Sequence, residues 1–121
     1  NAGHPELMVR NARSGMVEII DDADGQSKGR PIGISLSGRD YRTIGFDVES
    51  GDMLLLYSDC LLDCRNLSGS NYGARRLLAA FASAPYGGAA GVLEHIVKDF
   101  SDYMAGNALS DDMTIIVARK T

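Results

Sequence analysis

Two apolar runs interrupt an otherwise mixed pattern. Met53-Leu54-Leu55-Leu56-Tyr57 ends in Ser58-Asp59, and Met113-Thr114-Ile115-Ile116-Val117 follows Asp111-Asp112. Short runs rich in β-branched and large apolar residues, without a helical period, predict strands. A strand with one wet face alternates, whereas a strand covered on both faces need not. Both strands are therefore expected to be sandwiched, with a second sheet on one side and helices on the other. Leu7–Arg10 and Met16–Ile20 flank Asn11-Ala12-Arg13-Ser14-Gly15 and predict a hairpin. A further strand is expected over Tyr41–Val48, turning through Glu49-Ser50-Gly51-Asp52 into the Met53 strand. Between them, Asp21 to Gly38 is polar and Gly-rich without a period and reads as a long surface loop, with Pro31-Ile32-Gly33-Ile34 as an ordered patch.

The period changes to that of a helix later in the chain. Ala74, Leu77, Leu78 and Phe81 follow Gly73 at i, i+3, i+4, i+7, and the run breaks at Ser83-Ala84-Pro85-Tyr86-Gly87-Gly88. Leu93, Ile96, Val97, Phe100 and Met104 mark a second amphipathic helix closed by Gly106-Asn107. That stripe is core packing. The fold class expected is α+β, with antiparallel sheets forming part of an α/β/β/α layered sandwich, and residues 1–121 form part of a single domain.

At 121 residues the chain suffices for one hydrophobic core, and 45% hydrophobic with 23% charged residues is the profile of a globular domain. A net charge of -4 with scattered basic residues argues against nucleic acid as a partner. No apolar stretch approaches the roughly 20 residues needed to cross a bilayer, and no signal-peptide pattern opens the chain. Cys60 and Cys64 are the two cysteines; a bridge across one helical turn would be strained, so buried reduced thiols and a cytoplasmic address are expected.

The chemistry is expected where the two apolar strands meet. One delivers a carboxylate where it ends and the other carries one where it begins, so antiparallel neighbours would place Asp59 and Asp111 on one edge. Clustered carboxylates repel unless a cation holds them, which points to a hard divalent metal site. The plain alternative for an Asp at a strand end is a turn former or helix cap. Asp52 after Gly51 is read in that way.

Five segments in order then resemble a known family: Asn1-Ala2-Gly3-His4-Pro5, Pro31-Ile32-Gly33-Ile34, Gly51-Asp52-Met53-Leu54-Leu55-Leu56-Tyr57-Ser58-Asp59, Asn71-Tyr72-Gly73-Ala74-Arg75-Arg76-Leu77, and Ser110-Asp111-Asp112-Met113-Thr114. Together they look like the C-terminal half of the bacterial serine phosphatases typified by stage II sporulation protein E and RsbU, in the metal-dependent, protein phosphatase 2C-like superfamily. The resemblance implies hydrolysis of phosphoserine or phosphothreonine with two Mn²⁺ or Mg²⁺ ions and no phosphoenzyme intermediate. A metal pair suits that chemistry by neutralising phosphoryl oxygens. By the same resemblance Asp59 and Asp111 are the catalytic metal aspartates, and Asp112 orients solvent or backbone. Asp63, one helical turn after Asp59, is associated with a weaker additional metal, and His4 aligns near that peripheral site. The implied partners are a phosphorylated signalling protein, such as an anti-sigma-factor antagonist, and an upstream sensor or receiver domain.

Two departures qualify the match. Cys60 stands where the family has Gly, and is expected to weaken metal binding. The family's first metal aspartate lies upstream of the segment matched by Asn1-Ala2-Gly3-His4-Pro5. The chain is therefore expected to be an incomplete catalytic domain, inactive alone and open to self-association through uncovered sheet. The alternative readings are a non-catalytic regulatory or binding module that keeps the phosphatase fold, and a structural α+β interaction domain whose aspartates are turn residues.

Overall fold

The hairpin forms as the pattern predicts. In this computed structural model, which describes residues 2–21, 29, 32, 41 and 43–121, β1 (Leu7–Arg10) pairs antiparallel with β2 (Val17–Ile20). Asn11 builds the connection: its Oδ1 accepts from the Arg13 and Ser14 N–H groups, and its N–H donates to the Met16 carbonyl at 2.9 Å. Gly15 closes the loop at φ +70, a conformation that favours glycine, and a Cβ there would lie 2.6 Å from the hydroxyl at the tip of the exposed Tyr86 side chain, which would have to move aside.

β3 (Met53–Tyr57) joins the other edge of β1, and β4 (Ile115–Arg119) joins the far edge of β3, giving the order β2-β1-β3-β4. Met8, Leu55 and Val117 stand in register across three strands. Asp52, read as a turn residue, is one and also more. Its Oδ2 accepts from the Glu49 N–H at 2.8 Å, while Oδ1 accepts from the Ala12 N–H at 2.8 Å, so this buried carboxylate ties the β3 turn to the hairpin.

Of the strand expected over Tyr41–Val48, the described residues 41 and 43–48 lie outside any ladder. Both edges of β3 are already taken, by β1 and β4, so the segment that turns into β3 finds no edge there. The expected cover on both faces of the central strands is also absent among the described residues. Met53, Leu55 and Tyr57 point into the core, but Leu56 is 37% and its cross-strand partner Ile116 is 53% exposed. One apolar sheet face therefore meets no second sheet among the described residues. The patch 31–34 and most of the 21–38 loop lie outside the described residues.

Helices cover the other face. After the one-turn α1 (Cys60–Asp63), α2 (Gly73–Ser83) buries Leu77, Ala80 and Phe81, and α3 (Ala89–Met104) buries Val92, Ile96, Phe100 and Met104. Ala74, expected on the apolar stripe, is exposed, and Val92 takes the place expected of Leu93, because the buried line on α3 advances by four residues at each step. The turn that ends α3 begins earlier than Gly106: Ala105 already sits at φ 51, ψ 36 and donates to the Ser101 carbonyl. An alanine there carries a strain that glycine does not. Ala105→Gly is expected to raise stability by about 0.5–1 kcal/mol after its larger unfolded-state entropy is subtracted, read as an increased urea midpoint at constant slope.

A polar clamp joins α2 to α3. Buried Tyr72 donates to Asp99 Oδ2 at 2.7 Å, and Arg76 grips both Asp99 oxygens at 3.1 Å. Burial raises the Asp99 pKa, but the bonds from Arg76 and Tyr72 outweigh it and hold the carboxyl below its usual range. Because the folded value is depressed, the clamp's contribution is complete above the unfolded value of about 3.9 and is lost as pH falls through the folded one. Asp99→Asn is therefore expected to remove part of the pH dependence of stability below about pH 4, compared by urea unfolding across pH.

Candidate metal centre

The sheet end where β3 stops and β4 begins is fastened by side chains as well as by the backbone ladder. Ser58, first after β3, donates its N–H to the Thr114 carbonyl at 3.0 Å and its hydroxyl to the Asp112 carbonyl at 3.1 Å. The same hydroxyl accepts from the Thr114 N–H at 3.0 Å. One residue further on, Asp59 starts α1. Cys60 then donates its S–H to the Asp111 carbonyl at 3.3 Å, and Cys64 Sγ lies 3.3 Å from the Ser110 hydroxyl. Residues 58–64 and 110–114 are thereby fastened together through Ser58, Cys60 and Cys64, and Asp59 is flanked on both sides by residues bonded to Asp112 and Asp111. The segments carrying the two aspartates therefore meet at one end of the sheet.

Their local roles differ. Asp59 takes the N-cap position of α1 with φ -61 and ψ -18, but its carboxylate makes no capping bond, so the plain reading as a helix cap does not describe it. Asp111 Oδ1 accepts from the Asp112 N–H at 2.7 Å, a bond to the next residue that fixes the direction of its carboxylate. Asp63 lies at the other end of α1, with its N–H donating to the Asp59 carbonyl; Asp59, Asp63, Asp111 and Asp112 are all exposed. His4 enters at the same end of the sheet, ahead of β1, with Nδ1 2.8 Å from the Pro5 carbonyl. Among the described residues, no three of His, Cys, Asp and Glu are grouped closely enough to hold a metal ion. The donors present still fit a hard divalent cation by type: two exposed carboxylates on one edge, the remaining positions open to water, as Mg²⁺ and Mn²⁺ prefer.

Two residues at this end carry roles that local sequence pattern does not assign. Ser58 is the fastener just described; a serine directly after a strand, able to bond nearby backbone, is the available signal. Glu6, before β1, acts on Tyr57: burial first, then the charge of Glu6, pushes the tyrosine phenol up to about 12. Burial, reinforced by the Cys64 sulfur, likewise pushes the Cys60 thiol up to about 12. Burial opposes ionisation of Cys64 too, but bonds from Ser110 and Cys60 carry it below the usual thiol value. Cys60 itself lies within α1, with no positive φ, so its replacement of the family's glycine introduces no backbone strain.

Two hollows lie away from this rim. One of about 180 Å³ is lined by Arg10, Met53, Tyr86 and Arg119, and one of about 380 Å³ by Val9, Asn11, Val17 and Asp52. Arg10, Met53 and Arg119 are paired at the opposite end of the sheet from Tyr57 and Ile115, so the first hollow belongs to the far edge.

No curated protein matches the chain, but solved structures share its arrangement. It is similar to the SiaA-PP2C domain of Pseudomonas aeruginosa, with a TM-score of 0.79 and 22% identity over 99% of this chain and 44% of that one. It is also similar to the PP2C phosphatase domain, with a fragment of the regulatory domain, of the cell fate determinant SpoIIE from Bacillus subtilis, with a TM-score of 0.75 and 17% identity over 98% of this chain and 32% of that one. The phosphatase domain of SpoIIE from Bacillus subtilis presoaked with Mn gives a TM-score of 0.69 and 17% identity over 98% of this chain and 48% of that one. The chain spans less than half the length of each of these structures. At these identities the likeness is one of fold: an α+β arrangement of the PP2C type, as the motif resemblance implied. The family model for stage II sporulation protein E matches residues 1–121, and the chain belongs to the stage II sporulation protein E (SpoIIE) family.

Proposed function

We propose that this chain is the C-terminal part of a metal-dependent protein serine/threonine phosphatase domain, with Asp59 and Asp111 as ligands to Mn²⁺ or Mg²⁺ and Asp63 at a weaker, additional position. The observation that carries the reading is the fastening of both aspartates to one rim through Ser58 and Cys60, in a chain of the SpoIIE family. A divalent ion bound there supplies positive charge against phosphoryl oxygens and lowers the pKa of a coordinated water. The chain's own residues hold that position. Asp59 presents a carboxylate not spent on capping, Asp111 one oriented by the Asp112 N–H, and Ser58 keeps the two segments at a fixed separation. In-line attack at phosphorus then needs positioning and charge stabilisation more than a protein nucleophile.

Family membership supports a phosphoserine or phosphothreonine on a small signalling protein as substrate, such as an anti-sigma-factor antagonist, with an upstream sensor or receiver domain in control. No helix among the described residues is long and apolar enough to cross a membrane. Two free buried cysteines support a cytoplasmic address. The bare face around Leu56 and Ile116 is the surface through which copies of the isolated chain would associate. The test is hydrolysis of a phosphoserine peptide by a longer polypeptide that carries the chain within a complete domain. Turnover with Mn²⁺ that chelation abolishes supports the reading. Metal-independent binding of the phosphoprotein without turnover would refute it and leave the non-catalytic module.

A further inference from the structure

Cys60 and Cys64 are 1% and 0% exposed, and their sulfurs lie 3.3 Å apart. They bracket α1, with the Cys64 N–H donating to the Cys60 carbonyl at 3.0 Å. Helix geometry puts Cα atoms four residues apart at about 6 Å, inside the roughly 4.4–6.8 Å that disulfides span. The sulfurs must close by a little over ~1 Å to reach the ~2.05 Å of a disulfide bond. A four-residue helix is a small element to distort, and Cys64, its C-cap, has already left helical geometry at ψ 136.

We propose that Cys60 and Cys64 form an intramolecular dithiol that closes to a reversible disulfide, a redox modification site that loosens the loop carrying Asp111. A small-molecule disulfide such as glutathione disulfide is the oxidant. When a local opening of the one-turn α1 exposes it, one cysteine sulfur displaces a glutathione to give a mixed disulfide, and the other cysteine then displaces the second glutathione as the turn recloses. The oxidant's S–S bond breaks and the protein's forms. Two electrons pass to the glutathione sulfurs, and the two cysteine protons end on the two glutathione thiols.

The consequence follows from what those hydrogens do in the reduced protein. The Cys60 S–H donates to the Asp111 carbonyl, and the Cys64 sulfur meets both the Ser110 hydroxyl and the Ser110 N–H. Oxidation removes the Cys60 donor and draws Cys64 away from Ser110, leaving Ser58 as the main fastener of the Asp111 segment. This effect on the metal rim rests on the phosphatase reading; closure of the disulfide does not.

The pair is tested by equilibrating the chain in glutathione redox buffers with and without denaturing urea, quenching in acid, and counting alkylated thiols by mass. The folded chain is expected to form the intramolecular disulfide with an equilibrium constant about tenfold above that of the unfolded chain, reversed by dithiothreitol. An equal or smaller constant in the folded state, or only mixed disulfides and inter-chain dimers, would overturn the proposal. In the complete domain, oxidation is expected to weaken Mn²⁺ binding at least fivefold, and a Cys64→Ser variant to lose that sensitivity. Unchanged Mn²⁺ affinity after oxidation would overturn the link to Asp111. Absence of Mn²⁺ binding in both redox states would refute the phosphatase reading, and the thiol equilibrium would still decide the pair.

Discussion

Asp111→Asn in the complete domain is expected to lower Mn²⁺-dependent turnover of a phosphoserine peptide at least about 100-fold, a loss of about 2.7 kcal/mol of transition-state stabilisation. The substitution keeps the side chain's shape and can retain the bond from the Asp112 N–H through its amide oxygen, so the fold is expected to survive. The negative charge is what disappears. A hard cation that takes one or two carboxylates from the protein loses much of its electrostatic attraction when one becomes an amide. Asp59→Asn should behave alike, and the double variant should lose little more, because groups that hold one ion act as a unit. The check is kinetic, with thermal stability measured alongside. Mn²⁺ should raise the melting temperature of the parent domain by mass action and leave that of the Asp111→Asn variant unchanged. Turnover within a few-fold of the parent would remove Asp111 from the centre.

The largest expected effect on stability lies at the far end of the same sheet. Arg10, the last residue of β1, is 3% exposed, and one guanidinium nitrogen donates to the Phe81 carbonyl at 2.9 Å and the Ala84 carbonyl at 2.8 Å. Those carbonyls belong to the last turn and cap of α2, whose final C=O groups have no partner within the helix. Pro85 follows directly, so the chain must leave the helix in extended geometry, and Ala84 sits at φ -60, ψ 144. The guanidinium also lies 5.4 Å from the centroid of the Phe81 ring and 5.5 Å from that of Tyr86. Burial lowers its pKa from the usual arginine value, yet a guanidinium remains charged throughout the ordinary pH range.

Arg10→Ala would strand two buried carbonyls and open space over Phe81. It is expected to destabilise the domain by about 3 kcal/mol, read as a fall in urea midpoint with unchanged slope. Arg10→Met, which restores much of the bulk, should recover only part of the loss, since the carbonyls remain without donors. Full recovery by methionine would show that Arg10 contributes bulk and not hydrogen bonds.

The elements that depend on near neighbours were legible in the amino-acid pattern. The 3.6-residue period of Leu77, Leu78 and Phe81, the loop of Asn11 and Gly15, and the apolar run of β3 state their conformations through residues a few positions apart. That the segments carrying Asp59 and Asp111 meet at one sheet end was legible too, because an antiparallel neighbour places a strand's end beside another's beginning. What the pattern could not carry was competition for edges and faces. An apolar run reports that both faces of β3 favour burial, not which segment supplies the cover, so Leu56 and Ile116 remain bare. The segment at 43–48 finds no place beside β3, because β1 and β4 hold both its edges.

The bonds that shape the rim and the far end arise from tertiary contacts. Ser58 reaches a carbonyl 54 positions away, Cys60 one 51 away, and Arg10 one 74 away. No local period encodes such partners, since each exists only once the sheet order β2-β1-β3-β4 has brought distant turns to the same end. Residue identity and spacing were enough to name the side chains able to carry the chemistry. The order of the strands settled what each of them touches, because hydrogen bonding and burial act between neighbours in space, whatever their separation along the chain.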